Sequence, residues 1–229
     1  MSRCMRVSHA LLTGAIALGL ASGVRAAGLA EARIYIEYNS SANDLGFHVS
    51  LDGEDWTALQ IVDPAGTAIF AVEGKGAYKD LGLTELFFEG AEPSLDDVPL
   101  QQLLARFPEG RYRFIATRVD GARLLSAATL THSVPAGPSV AADLDGDSLV
   151  IRWQPVTGPP PGFPVERIEI VGYQVIVEPF QVTLPSSSRQ VTVPREFVQS
   201  LPRGTHAFEV LAIEKGGNQT ITEGSFEIP

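Results

Sequence analysis

The sequence predicts an all-β protein of two tandem β-sandwiches behind a secretory leader, on three observations. Short β-branched and aromatic runs recur along the chain, separated by Gly, Pro and Asp turns roughly every 8–12 residues. Helical periodicity is nearly absent; the exception is Pro99 to Phe107, where Leu100, Leu103 and Leu104 share one face of a short helix. The stretch VPAGPS, Val134 to Ser139, places two prolines and a glycine between two strand-rich regions. The expected organisation is a leader over 1–26, a first sandwich over 27–134 and a second over 135–229.

The leader is a cationic start with Arg3 and Arg6, an apolar run from Val7 to Leu20, and a small-residue site with Val24 and Ala26 before Ala27. Its apolar run is shorter than the ~20 residues of a membrane-spanning helix, and no later stretch is long enough to span. Cleavage before Ala27 predicts an exported protein, periplasmic or extracellular, without a transmembrane segment. The chain of 229 residues carries 17 Lys+Arg against 27 Asp+Glu, a formal charge of −10. The leader holds three of those arginines (Arg3, Arg6, Arg25) and no acid, so the mature chain has 14 cations against 27 anions, or −13. Cys4, the sole cysteine, leaves as well. That excludes a disulfide, a Cys-ligated metal and a thiol nucleophile. The acidity excludes nucleic acid as a partner, which needs a basic face.

In the first region strands are expected at Ala32–Tyr38, Gly46–Leu51, Trp56–Val62, Thr67–Val72, Thr84–Phe88, Arg111–Thr117 and Arg123–Thr131. Period-two alternation sets Ile34 and Ile36 against Arg33, Tyr35 and Glu37, and Tyr112, Phe114 and Ala116 against Arg111, Arg113 and Ile115. Asp52-Gly53, Asp63-Pro64-Ala65-Gly66 and Asp120-Gly121 read as tight turns. The result is a seven-strand sandwich with the short helix as a crossover between later strands. Its stretch EGRYRFIATRVDG resembles the penultimate strand and hairpin of immunoglobulin-like domains.

In the second region, Leu149–Trp153 followed by Pro155 alternates apolar residues toward a tryptophan, and Tyr173-Gln174-Val175-Ile176-Val177 follows an aromatic-x-Val-x-Val pattern. Gln190–Val193 is a short strand, Phe208, Val210 and Ala212 alternate inward, Gly216-Gly217-Asn218 forms a last hairpin, and Thr220–Ile228 closes. From about Pro138 to the end this resembles a fibronectin type III domain. The resemblance implies a seven-stranded sandwich and a tyrosine corner, where this chain carries His206. It implies little about function, since the fold serves unrelated tasks. The stretch between Trp153 and Tyr173 is long and holds Pro159-Pro160-Pro161 and Pro164. It could present polyproline II, though a stiff inter-strand loop is the default reading.

Candidate sites are acidic. Asp143, Asp145 and Asp147 alternate around Gly146 and could converge on calcium, although Asp-Gly is also ordinary turn chemistry. Asn39, Asn43 and Asp44 lie in one loop and Asp52, Glu54 and Asp55 in the next. If these loops share an end, their oxygens could bind calcium or a sugar, with Trp56 as a stacking platform; the alternative places Trp56 in the core. Glu85 and Glu89 are an even number apart and so share a strand face, and Glu92 follows; such acids could form a glycosidase pair. Arg111 and Arg113 share a face as well, and either bind an anion or pair with acids on neighbouring strands. His48, on the outer face of its strand, His132 and His206 show no catalytic motif. Asn39-Ser40-Ser41 and Asn218-Gln219-Thr220 are glycosylation sequons, meaningful only in a eukaryotic secretory pathway. The expected function is non-enzymatic and without a cofactor: binding of another protein or a surface glycan. The rivals are a carbohydrate-active hydrolase or sugar binder using the first-region acids, and a structural subunit of an envelope assembly that recruits a strand through an open sheet edge.

Overall fold

The computed structural model describes residues 28–165 and 167–229; the leader expected over 1–26 lies outside the described residues. The first region contains β1 (Glu31–Asn39), β2 (Asp44–Val62), β3 (Ala68–Glu73), α1 (Ala77–Leu81), β4 (Leu83–Glu89), α2 (Leu100–Arg106), β5 (Gly110–Arg118) and β6 (Arg123–Leu130). The second contains β7 (Val140–Asp145), β8 (Ser148–Trp153), β9 (Ile170–Val177), β10 (Phe180–Pro185), β11 (Gln190–Val193), α3 (Arg195–Val198), β12 (Gly204–Glu214) and β13 (Gln219–Ile228).

One expectation is corrected in β2. Asp52-Gly53 was expected to be a hairpin turn between two strands, but β2 runs for 19 residues through it. Its register shifts between Asp52 and Trp56, and Asp55 takes a positive φ of 37°. The strand therefore bends instead of reversing, and its two halves serve two sheets. Residues 44–52 lie between β1 and β4, while residues from Trp56 to Val62 pair with β3 and β5, and β5 pairs with β6. Asp-Gly tolerates a bulge as readily as a turn, because both need unusual backbone angles.

Counting the halves of β2 as separate strands, the first region has seven strands in orders 1-2-5 and 4-3-6-7. The second region has β7-β8-β11 as one sheet and β10-β9-β12-β13 as the other, again 1-2-5 and 4-3-6-7. It is a fibronectin type III-like sandwich, and the first region repeats its strand order. Each has a buried cluster between its sheets. The first centres on Ile36, Leu45, Trp56, Ile61, Tyr112 and Phe114, and the second on Leu149, Ile151, Trp153, Tyr173, Val175 and Val210.

A corner before the sixth strand repeats with the fold. The first region reads Pro108-Glu109-Gly110-Arg111-Tyr112 and the second Pro202-Arg203-Gly204-Thr205-His206. Tyr112 donates its O–H to the Pro108 carbonyl at 3.0 Å. His206 Nε2 lies 2.7 Å from the Pro202 carbonyl, so the imidazole occupies the tyrosine's place across the same four residues. Gly110 and Gly204 have φ of 137° and 126°, angles that L side chains avoid. A short helix behind a proline precedes each corner, α2 after Pro99 and α3 after Pro194.

The two sandwiches share a sheet. β13 pairs in parallel with β1 over Glu37↔Gln219, Tyr38↔Thr220 and Asn39↔Ile221, giving one ten-stranded sheet through both regions. Asn218, at the base of the last hairpin and 1% exposed, anchors this seam. Its Oδ1 accepts from the Ile36 N–H at 2.8 Å, and its Nδ2 donates to the carbonyls of Thr131 at 2.9 Å and Ser133 at 3.2 Å. The Thr220 hydroxyl donates to the Pro135 carbonyl at 2.5 Å, and the Ser40 hydroxyl to that of Ile221 at 2.7 Å. Both sequons thus contribute to the seam: Asn39 Nδ2 also donates to Glu223 at 2.8 Å. The proline-rich loop belongs to the seam too. The Gly158 carbonyl accepts from the Ala136 N–H at 2.9 Å, and Phe163 packs 5.2 Å from the Tyr38 ring. Its contacts are within the chain, which gives the stiff loop a structural role.

Candidate functional site

The acids singled out in the sequence do not form one cleft around Trp56; Glu89 and Glu92 meet instead at His48. Trp56 is fully buried in the first core, so its ring offers no stacking surface to a sugar. Asp52 sits directly across from Glu85 between β2 and β4. Asp55 is bound by Arg118, 2.6 Å from Nη2 and 2.7 Å from Nε. This pairing holds the bend of β2 against β5. Glu89 lies four residues further along β4, opposite His48.

In the second region, Asp143 and Asp145 lie on β7, and Asp147 is the second residue of the two-residue turn that leads into β8. Asp143 pairs with Arg152 on the adjacent strand, and Asp147 pairs with Arg195 at 2.6 Å and accepts from Gln199 at 2.8 Å. Two of the three carboxylates are thus engaged by side chains in different directions, and the geometry is that of a hairpin turn tied to α3. Of the two readings of Arg111 and Arg113, pairing with acids across the sheet is not what the register gives, since their partners on β6 are Thr129 and Ala127. They line a shallow surface groove with Leu125 and Ser126.

Among the described residues, a tight grouping of titratable side chains lies on the outer face of the β1-β2-β4 sheet. Alternation turns Tyr35 and Glu37 of β1 outward, with Gly46 and His48 of β2 and Phe87 and Glu89 of β4. The register sets Tyr35 beside His48, Glu37 beside Gly46 and His48 beside Glu89. The chain leaving β4 then folds back along the start of β2: Asp44 bridges Ser94, and the Leu95 N–H donates to the Asn43 carbonyl at 2.8 Å. That return carries Glu92 over Gly46. A Cβ on Gly46 would lie 2.4 Å from Glu92 Oε1, so the glycine leaves the space the carboxylate occupies.

His48 is consequently buried, 3% exposed, although it sits on an outer face. Its ring packs against Tyr35 at 5.1 Å and Phe87 at 5.9 Å. Nε2 is 3.1 Å from Glu92 Oε1 and 3.8 Å from Glu37 Oε1, while Nδ1 is 3.8 Å from Glu89 Oε2. Glu37 Oε2 accepts from the side-chain amide of Gln219, which reaches across the seam. Burial pushes the Glu37 carboxyl above the usual range; the nearby His48 and the Gln219 hydrogen bond pull it back down. Among the described residues, Glu37, His48 and Glu92 offer donor atoms all within 4.8 Å of one another. Alternation already puts His48 and Glu37 on outer faces in the sequence. Their meeting depends on strand register, and Glu92 on a return loop, neither of which has a local signature.

Comparison with protein-family models and with curated proteins finds no match. Solved structures give partial overlaps. A two-domain fibronectin type III segment of chicken tenascin is 13% identical, covering 87% of this chain and 99% of that one at a TM-score of 0.29. The fibronectin(III)-like modules of Clostridium thermocellum CbhA are 11% identical, covering 88% and 90% at 0.26. The Clostridium perfringens spore cortex lytic enzyme SleM is 18% identical over 41% of this chain at 0.34, and the aligned part spans 28% of that protein. The TM-scores are low in all three, and the fold assignment rests on the strand order and the two cores.

Proposed function

We propose that this is an exported, non-enzymatic protein that holds two fibronectin type III-like sandwiches in a fixed relation and binds another protein or a surface glycan at the cell envelope or outside the cell. The observation that carries this reading is the seam. A parallel β1–β13 ladder, the buried Asn218 amide and the proline-rich loop join the sandwiches into one sheet, the construction of a rigid presenting scaffold. The cationic leader supports export. Among the described residues no helix is long and apolar enough to cross a membrane. The non-enzymatic reading is supported by Trp56 lying in the core and Asp55 being committed to Arg118, which leaves the bend of β2 without the acid-and-tryptophan cleft a sugar site there would need.

The test is to express the full chain in a secreting host, identify its N-terminus, and titrate the exported protein onto intact cells and envelope fractions. A mature N-terminus at Ala27 with saturable retention is expected. Retention in the cytoplasm with the leader intact, or turnover of a glycan substrate, would overturn the proposal.

A further inference from the structure

We propose that Glu37, His48 and Glu92 bind one divalent first-row transition metal of the zinc class, through His48 Nε2, Glu37 Oε1 and Glu92 Oε1. The site is independent of what the sandwiches bind.

Three observations carry it beyond a chance meeting of acids. The first is dimensional. Tetrahedral zinc with bonds of about 2.0–2.1 Å has ligand-to-ligand edges of about 3.3 Å. The two edges from His48 Nε2 are 3.1 Å to Glu92 and 3.8 Å to Glu37, so they bracket that length without an ion. The remaining edge is within 4.8 Å and closes by rotation of a glutamate side chain.

The second is the outer layer. Metal-bound histidines characteristically give their other ring N–H to a carboxylate, and ligating carboxylates are themselves hydrogen-bonded. Here Glu89 is the carboxylate on the Nδ1 side, 3.8 Å away and able to close by side-chain rotation, while Nε2 is hydrogen-bonded to Glu92 at 3.1 Å and would give up that proton to a bound ion. Gln219 holds the far oxygen of Glu37, which leaves Oε1 directed at His48. The third is charge and enclosure. Three carboxylates surround one imidazole that is 97% removed from solvent and walled by Tyr35 and Phe87. Even a protonated His48 would leave the group anionic, and a divalent cation offsets that charge at a site buried on its His48 and Glu37 side and open to solvent on its Glu92 and Glu89 side. Gly46 preserves the space over which Glu92 closes the site.

The donor set selects the ion. One imidazole nitrogen with two carboxylate oxygens suits zinc and its neighbours. Calcium prefers six to eight oxygens, and magnesium an octahedral oxygen shell that keeps several waters. Because Gln219 comes from the second sandwich and Glu37 from the first, a bound ion would also tighten the seam.

The experiment is zinc titration of the untagged, chelator-treated full chain carrying Cys4→Ser, so that no leader thiol contributes. Calorimetry is expected to give one equivalent per chain. Zinc at 100 times its Kd is expected to raise the melting temperature by about 5–10 °C, with no rise from equal calcium. Glu92→Gln, at a half-exposed position that leaves the core intact, and His48→Gln should each weaken zinc binding at least tenfold. Gln219→Ala, a positioning change, should weaken it on the order of tenfold, and Asp145→Asn should leave it unchanged. An absence of zinc binding, an equal response to calcium, or undiminished affinity in Glu92→Gln would overturn the assignment.

Discussion

The two sandwiches have the same strand order but connect their second and third strands in opposite ways. In the first, both strands are halves of β2, bent at Gly53–Asp55 and pinned by Arg118. In the second, β8 and β9 are separated by a long proline-rich connection whose Gly158 and Phe163 pack onto the first region and the linker. The short connection keeps the second and third strands of the first sandwich in one continuous strand. The long one gives up compactness to become half of an interdomain joint. The corners differ in a parallel way: Tyr112 is fully buried, while His206 is half-exposed against Phe226. One topology thus supports a closed sandwich and one that reaches for its neighbour.

The largest effect should come from breaking the joint. Asn218→Ala leaves the Ile36 N–H and the Thr131 and Ser133 carbonyls without their side-chain partner. Each buried group left so costs about 1–3 kcal/mol, so a loss of roughly 3 kcal/mol or more is expected. Calorimetry should then resolve two transitions where the parent shows one. A single transition within a degree of the parent would mean that the seam contributes little.

The corners come next. Tyr112→Phe leaves the part-buried Pro108 carbonyl without its partner and should cost about 1–2 kcal/mol in urea unfolding. His206→Phe, where water can reach the Pro202 carbonyl, should cost less than about 1 kcal/mol. Equal losses would remove the distinction between the corners. The same tyrosine predicts an alkaline signature. Its phenol is pushed up to about 12, first by burial and then by Asp63. An unfolded tyrosine ionises near 10, so the unfolded state loses its proton first and stability falls as pH rises from about 10 toward 12. Tyr112→Phe should flatten that decline in stability-versus-pH curves.

The smallest effect tests a pair of acids on the second sandwich. Glu209 and Glu223 lie directly opposite each other on β12 and β13. The Glu209 carboxyl is raised by burial and then by Glu223 and the acids nearby. A carboxyl whose folded pKa is raised costs stability above that pKa, and the cost disappears as pH falls through it. Glu209→Gln should therefore gain roughly 0.2–1 kcal/mol near pH 7, with the gain shrinking in acid. Melting curves at pH 7 and pH 4 read it directly.

The strands themselves were legible because alternation is local. Ile34 and Ile36 inward with Tyr35 and Glu37 outward, and Tyr112, Phe114 and Ala116 inward, are properties of a few consecutive residues. The bend of β2 was not, since Asp-Gly serves a hairpin or a bulge and the choice is made by Arg118, 63 residues from Asp55. The seam was hidden for the same reason at greater range: Asn218 and Ile36 are 182 residues apart. His48 was placed on its outer face correctly, but an outer face is exposed only if nothing folds over it. Glu92 does so here, beside the Tyr35 and Phe87 rings, and it arrives through a tertiary contact.

The central claim is that the sandwiches form one rigid body. Cys4 is the only native cysteine, so a Cys4→Ser chain can carry spin labels at Ala122→Cys and Ser187→Cys, exposed positions in the first and second sandwich. Pulsed dipolar spectroscopy should return one narrow distance distribution that broadens on adding Asn218→Ala. A broad or bimodal distribution in the chain with Asn218 intact would contradict the account.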